Sequence, residues 1–248
     1  MKKTLALLLA LFMFVATFTG CANENPGKED PNTPQSGDNG SSQLPEKESH
    51  KASMGFEYTE NEDGSVTITN YIGNDTDVVI PSELDGKTVT ALGDYAFFND
   101  SQITSIIIPE TVKTLGMYSL HGLGITELDI PKSVETIKFG AVRNCFQLES
   151  VTLHEGLITI EDMAFIFAKE LKEIVIPKTV TYVTEYAFKY CDALESVKFD
   201  GNAPEYFNYE SNYDQEFISY PSYYTVYYHE GAEGFTSPEW CGYPAKIW

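Results

Sequence analysis

The residues that could bind a metal or act as nucleophiles are few and widely spaced in this sequence. The chain of 248 residues holds four cysteines and four histidines, which are Cys21, Cys145, Cys191 and Cys241, and His50, His121, His154 and His229. They form no H-E-x-x-H or C-x-x-C spacing, and the sequence contains neither a G-x-S-x-G elbow nor a P-loop. The sequence therefore predicts no metal site, no cofactor and no enzymatic activity.

Acidic residues dominate the charged positions. There are 37 Asp and Glu against 16 Lys and Arg, a net charge of −21. With this many carboxylates, some lie near one another in the sequence by chance. Their spacing therefore does not indicate a glycosidase. A field this negative argues against nucleic acid, whose phosphates need clustered Lys and Arg, and against electrostatic adhesion to anionic lipid. Residues 1–20 carry +2 and residues 21–53 carry −3, which leaves −20 on residues 54–248.

The N-terminus has the pattern of an export signal. Lys2 and Lys3 precede twelve consecutive apolar residues at positions 5–16, a run shorter than the roughly 18 residues of a membrane span. The following Phe18-Thr19-Gly20-Cys21 resembles the lipobox of bacterial lipoproteins, although Phe18 replaces the usual Leu. The resemblance implies a signal peptide over residues 1–20, a lipid on Cys21, and a location on the outer face of the cytoplasmic membrane or on the outer membrane. The alternative is an ordinary secretory signal with a chance cysteine.

The composition of residues 21–53 predicts a disordered stalk. They are rich in Pro, Gly, Ser and charged residues and almost free of large apolar side chains. Such a segment cannot bury enough surface to offset the entropy of ordering it. A flexible coil of about 32 residues reaches roughly 30 Å, which suits a domain held away from a membrane.

A repeat of about 23 residues organises the chain from residue 80. One column contains Pro81, Pro109, Pro131, His154, Pro177 and Asp200, at steps of 28, 22, 23, 23 and 23 residues. The first step is longer because residues 82–87 hold an insertion with a turn at Asp85-Gly86. Apolar columns keep the same step, among them Val112, Val134, Leu157 and Val180, and Leu115, Ile137, Ile160 and Val183. Periods of 20 to 50 residues indicate a solenoid or array.

Each repeat is predicted to contain a short, half-buried strand. In the unit at residues 125–130, Leu128 and Ile130 alternate with Glu127 and Asp129, which is the two-residue period of a strand. Pro131 then ends the strand because it lacks a backbone donor. A second extended piece and a corner, drawn as a single helical turn, complete the unit. Stacked units bury one continuous core.

The cysteines are interpreted as structural. Cys145 and Cys191 occupy the same column two units apart, a separation of roughly 10 Å at strand spacing. A disulfide needs Cα atoms within about 7 Å, so both are predicted to be buried apolar side chains. Cys241 has no evident partner in the sequence.

The repeat resembles the BspA-like leucine-rich repeats of bacterial surface proteins. The motif Ile-Pro-x-x-Val-x-x-Ile-Gly-x-x-Ala-Phe-x-x-Cys-x-x-Leu is nearly complete between Pro177 and Leu194, and the resemblance covers residues 55–248. It implies a mainly-β leucine-rich-repeat solenoid over residues 54–248, with five to six coils of about 23 residues. In addition to these coils, which occupy residues 80–200, the solenoid has an N-terminal cap at 54–79 and an aromatic C-terminal cap at 201–248. Family members are described as adhesins, which implies a non-enzymatic cell-surface binding role.

The outward strand positions form the predicted binding face for a protein or matrix partner. Stacked strands of a solenoid commonly present such a surface, and the alternative is that these columns form an ordinary solvated sheet. The candidate residues are Ser105, Ile107, Glu127, Asp129, Ser150, Thr152, Glu173, Val175, Ser196 and Lys198. A host or neighbouring-cell surface protein is the expected partner, basic or bridged by calcium because the domain is acidic. The protein is expected to be a monomer that meets the membrane only through its lipid.

An alternative places a carbohydrate on the aromatic C-terminus. Residues 206–248 contain 14 aromatic residues. Five tyrosines could stack on sugars there, namely Tyr220, Tyr223, Tyr224, Tyr227 and Tyr228. The competing interpretation is that these rings pack together as the terminal cap of the solenoid.

Overall fold

The computed structural model describes residues 50–51, 55–207 and 224–248 and folds them into a mainly-β solenoid of about seven turns. The prediction of a solenoid is therefore confirmed. The predicted signal peptide and most of the predicted stalk lie outside the described residues.

Two ladders of short strands run along the solenoid. Strands of the first ladder are β4 (Asp77–Val79), β7 (Ser105–Ile107), β9 (Glu127–Ile130), β11 (Ser150–Leu153), β13 (Glu173–Ile176), β15 (Ser196–Phe199), β17 (Thr225–Tyr228) and β19 (Tyr243–Ile247). Strands of the second are β1 (His50–Lys51), β2 (Phe56–Glu60), β3 (Val66–Tyr71), β6 (Lys87–Leu92), β8 (Thr114–Leu115), β10 (Thr136–Ile137), β12 (Thr159–Ile160), β14 (Tyr182–Val183) and β16 (Tyr206–Phe207). Each coil of the repeat supplies one strand to each ladder.

The strand pairing reproduces the sequence period. Parallel β9 and β11 align Glu127 with Ser150 and Leu128 with Val151, a step of 23 residues. The predicted insertion forms the hairpin of β5 (Glu83–Leu84) with β6. Asp85 and Gly86 make its turn with φ of 49° and 76°. The register therefore confirms both the repeat and the cause of its one long step.

The core is a stack of identical apolar positions. The columns that begin at Val112 and Leu115 are buried in every coil through Val180 and Val183. Burial of one Leu, Ile or Val contributes about 2 kcal/mol, which offsets the entropy of ordering a small coil only when neighbouring coils cover both of its sides. The core is for this reason continuous along the solenoid axis.

The third side of each coil, which we call the corner, is made of tight turns. Two of its positions repeatedly adopt positive φ; the first is held by Tyr95, Tyr118, Gly140 and Met163, and the second by Asn99, Gly122, Asn144, Phe167 and Tyr190. Backbone hydrogen bonds join successive corners, as where the N–H of Val142 donates to the carbonyl of Ala164 at 2.8 Å. The predicted helical turn occurs in the described corners only as a 3₁₀ turn at Glu185–Phe188. The left-handed residues replace it elsewhere, because they let the chain turn within about five residues.

Both ends of the described solenoid carry extra strands. At the N-terminus, β2 and β3 form an antiparallel hairpin in front of the first coil, within the range 54–79 that the sequence analysis assigns to a cap. At the other end, β17 and β19 continue the parallel first ladder, and β18 (Glu239–Trp240) pairs antiparallel with β19. The first ladder therefore extends beyond residue 200, where the sequence predicts a change from repeats to a cap.

Candidate functional site

The strand face consists of the outward side chains of β4, β7, β9, β11, β13, β15 and β17. The structure brings the predicted binding residues together on this face. Those that are exposed are Ser105, Ile107, Glu127, Asp129, Ser150, Thr152 and Glu173, and those that are half-buried are Val175 and Lys198. Ser196 is an exception, because it is only 8% exposed between its register partners Glu173 and Thr225. The prediction that Ser196 contributes to an accessible surface is therefore wrong.

The strand face is longer than the sequence predicts. Register places Asp77 and Val79 beside Ser105 and Ile107 at one end. At the other end, Tyr227 continues the column of Lys198. The signal for the first pair is present in the sequence, since residues 77–81 repeat the alternation of outward and inward residues before a proline.

Charge is distributed unevenly along the strand face. Toward the C-terminal end, Lys198 Nζ lies 2.8 Å from Glu173 Oε2 and 4.9 Å from the centre of the Trp248 ring. In the middle, His154 Nε2 lies 2.7 Å from Asp129 Oδ1. Glu127 forms no ion pair within the part of the chain that the structure describes. Among the described residues, Glu173 is therefore paired with a lysine, whereas Asp77 and Glu127 are not.

Apolar side chains are exposed at the N-terminal end of the strand face. Val79 is 61% exposed and Ile107 is 57% exposed, and the two are direct register partners on β4 and β7. The exposed acids Asp77 and Glu127 lie on the neighbouring outward column, which also contains Ser105. An apolar centre with a charged rim is the usual anatomy of a protein-binding surface.

The tyrosines predicted as a sugar platform do not form one surface. Tyr224 is 1% exposed and stacks on Tyr243 with ring centres 4.6 Å apart, and Tyr228 stacks in the same way on Phe235 at 4.7 Å. Their ring faces are thus occupied within the fold, which corrects the prediction for these two residues. Tyr227 is half-buried, and Tyr220 and Tyr223 lie outside the described residues.

The cysteines of the repeat are structural. Cys145 and Cys191 are free and buried, and each Sγ lies 3.2 Å from a backbone carbonyl oxygen, that of Leu120 or Phe165. Burial raises the pKa of both thiols to about 12, so neither supplies a thiolate nucleophile at neutral pH. Cys241 is half-buried and packs against the core at the C-terminal end of the solenoid.

The histidines do not converge on a site. His229 Nε2 lies 3.5 Å from Asp200 Oδ1 on the surface, whereas His121 is only 8% exposed. No group of three or more His, Cys, Asp or Glu side chains within the described residues is placed to hold a metal ion. Among these residues there is also no helix long and apolar enough to span a membrane.

Comparison with known proteins places this geometry in a family. The chain matches the BspA type leucine rich repeat region in six copies over residues 86–214. A leucine-rich repeat protein from T. pallidum is similar in structure with a TM-score of 0.58 and 25% identity, covering 61% of this chain and 73% of that chain. A leucine-rich repeat protein from Bacteroides capillosus is 25% identical, covers 62% of this chain and 99% of that chain, and gives a TM-score of 0.41. A leucine rich cell surface protein from Faecalibacterium prausnitzii is 21% identical, and the match covers 61% of this chain and 54% of that chain with a TM-score of 0.38.

No curated protein matches the chain. The family match spans just over half of the sequence and includes the coils from β6 to β16. Leucine-rich repeats of this kind are generally non-catalytic and consistent with a binding role. The chain belongs to the family of BspA-type leucine-rich repeat proteins.

Proposed function

We propose that this chain is a non-enzymatic bacterial surface protein that binds a protein or matrix partner through its strand face. The observation that carries the proposal is the exposed apolar pair Val79 and Ile107 beside the acids Asp77 and Glu127. Large apolar side chains that adjoin one another on a surface mark interaction sites more often than single ones do. The N-terminal part of the strand face, on β4, β7 and β9, is the part that the partner contacts.

The charge of the domain defines the kind of partner. Residues 54–248 carry −20, and Glu127 has no ion-pair partner within the described residues. A host or neighbouring-cell surface protein with a basic, partly apolar patch complements this surface, and attraction between the two charges speeds their encounter. Added salt should therefore lower the association rate constant and change the dissociation rate constant less.

Substitution of Ile107 by Glu tests the strand face. The carboxylate replaces the most central apolar contact with a charge that has the same sign as its surroundings, so we expect affinity to fall by more than about tenfold. Proteins captured by the mature chain from host-cell and neighbouring-cell surface extracts are identified, and their dissociation constants are measured with each variant. Ile158→Glu is the matched control, because Ile158 is 45% exposed and precedes β12 of the other ladder. Equal losses in the two variants, or capture of no surface protein, would contradict the proposal.

Membrane attachment is tested at Cys21. The lipobox-like Phe18-Thr19-Gly20-Cys21 supports a lipid on this cysteine and display of the domain at the cell surface. We expect Cys21→Ser to release the protein into the medium and to abolish its labelling by a fatty-acid analogue, measured by fractionation and by fluorescence of the labelled band. A variant that still labels and stays with the membrane would show that the anchor lies elsewhere.

A further inference from the structure

The corner of the first coils carries a cluster of aromatic side chains that no part of the proposed function uses. Tyr95 stacks on Tyr118 with ring centres 5.3 Å apart, and Phe98 stacks on His121 at 4.5 Å. The two stacks contact each other, because Tyr95 meets Phe98 edge-on at 5.4 Å. Tyr95 is 49% exposed and Phe98 is 44% exposed. We call this set the corner cluster.

The backbone at the corner does not favour aromatic residues. Tyr95 and Tyr118 adopt φ of 63° and 53°, and the next coil has Gly140 at the same position with φ of 59°. The left-handed region costs a bulky residue on the order of 1 kcal/mol, whereas glycine adopts it freely. Backbone strain that persists on an exposed surface is a pointer to function. Met163 holds the same position in a later coil with φ of 57°, so this backbone is common to the corner, and the exposed aromatic side chains distinguish the first coils.

Polar groups with unused hydrogen bonds surround the corner cluster. His121 is more than nine-tenths buried, and its Nε2 lies 3.1 Å from Asn144 Nδ2, an amide nitrogen that can only donate. His121 Nδ1 is buried and has no hydrogen-bond partner within the described residues. In the next coil, Nε of Arg143 also has no acceptor. The exposed carboxylate of Asp94 adds an acceptor beside Tyr95.

We propose that the corner cluster binds a neutral glycan, with a pyranose ring against Tyr95 and Phe98. A sugar presents apolar C–H groups on its face and hydroxyl groups on its rim, and each hydroxyl both donates and accepts. It therefore matches the exposed rings of Tyr95 and Phe98 beside the exposed carboxylate of Asp94, whose Oδ1 accepts from the N–H of Met117. An uncharged ligand also avoids repulsion by the −20 of residues 54–248.

The size of the corner cluster favours a glycan over a protein. An aromatic side chain has about 150–250 Å² to bury, so half-exposed Tyr95 and Phe98 with neighbouring Met117 offer roughly 300 Å². A stable protein interface needs about 800 Å² from each partner. The cluster also lies at the corner, away from the strand face, so the two surfaces can be tested separately.

Binding of defined neutral oligosaccharides tests this proposal. Cellohexaose, xylohexaose, mannohexaose, maltohexaose and chitohexaose are offered to the mature chain in saturation-transfer NMR and calorimetry, with hexagalacturonate as the charged comparison. We expect at least one neutral sugar to bind, and Phe98→Ala to weaken it by about tenfold or more. Phe146→Ala is the matched control, because Phe146 is also 44% exposed and has no ring contact within the described residues; it should change affinity by less than about twofold.

A second variant separates loss of binding from loss of folding. Tyr95→Gly removes the ring and relieves the left-handed strain, so the fold should persist, as judged by the thermal midpoint, while sugar affinity falls. The strand-face variant Ile107→Glu should leave sugar binding unchanged. The proposal is overturned if no neutral sugar binds up to millimolar concentration, if only the galacturonate binds, or if Phe98→Ala and Phe146→Ala have equal effects. A corner that recognised a protein would give no saturation transfer to any of these sugars.

Discussion

Substitution of Phe165 by Ala should lower the free energy of unfolding by about 4 kcal/mol. Phe165 is fully buried, and its ring stacks on Phe188 of the next coil with centres 5.7 Å apart and planes 12° from parallel. The cavity left by the ring is enclosed by coils on both sides, whose backbones are hydrogen-bonded together and cannot collapse into it. The N–H of Phe165, for example, donates to the carbonyl of Ala187 at 2.8 Å. Denaturant unfolding followed by circular dichroism measures the loss.

Phe146→Ala provides the control for this prediction as well. The same side chain is removed, but Phe146 is 44% exposed, so we expect a loss of about 0.5 kcal/mol or less. Because each coil of a solenoid contacts only its neighbours, a cavity at residue 165 also weakens the coupling between the two halves of the stack. The transition of Phe165→Ala should therefore broaden as well as shift. Similar losses in the two variants would show that stacking of this column does not hold the coils together.

The repeat pattern predicts the middle of this molecule well. A column that recurs at a fixed step must face either the core or the solvent in every coil, because register is preserved from coil to coil. The alternation of Leu128 and Ile130 with Glu127 and Asp129 therefore predicts both the core and the strand face. The same argument locates the turn at Asp85-Gly86, since an extra segment in one repeat can only project from the stack.

Features that depend on non-repeated contacts were not predictable in this way. Ser196 follows the outward column, yet it is buried between Glu173 of β13 and Thr225 of β17. Tyr224 and Tyr228 are residue types that often bind sugars, but their ring faces are occupied by stacking on Tyr243 and Phe235. These contacts join segments that have no equivalent in the earlier coils, so no column of the repeat reports them.

The corner was missed for a different reason. Its left-handed positions are easy to recognise where the chain has Gly140, Gly122 or Asn144, since these residues favour positive φ. The same turn is not recognisable in the sequence at Tyr95 and Tyr118, because aromatic residues ordinarily indicate extended or buried structure. The mismatch between residue type and backbone becomes visible only when the coils are superimposed, and it is this mismatch that directs attention to the corner cluster.

Removal of the Trp240 side chain should loosen the C-terminal end of the solenoid while leaving its middle intact. Trp240 is 1% exposed, and its ring lies 4.5 Å from Phe207, 4.7 Å from Phe235 and 5.7 Å from Phe199. Its Nε1–H donates to the carbonyl of Gly234 at 2.9 Å. We expect Trp240→Ala to destabilise this end by about 4 kcal/mol, from the lost contacts, the cavity and a carbonyl left without its donor.

Amide hydrogen exchange locates the effect of Trp240→Ala. Each coil is stabilised by its nearest neighbours, so a defect in the terminal unit should propagate only over the coils next to it. The amides of β15, β17 and β19 should exchange faster by orders of magnitude, whereas those of β8 and β10 keep their protection. Trp248→Ala is the matched control, because Trp248 is 44% exposed and contacts His229 and Lys198 only at the surface. Uniform acceleration along the whole chain would instead mean that the solenoid unfolds as one unit, and that its C-terminal aromatic cluster stabilises every coil rather than the last ones.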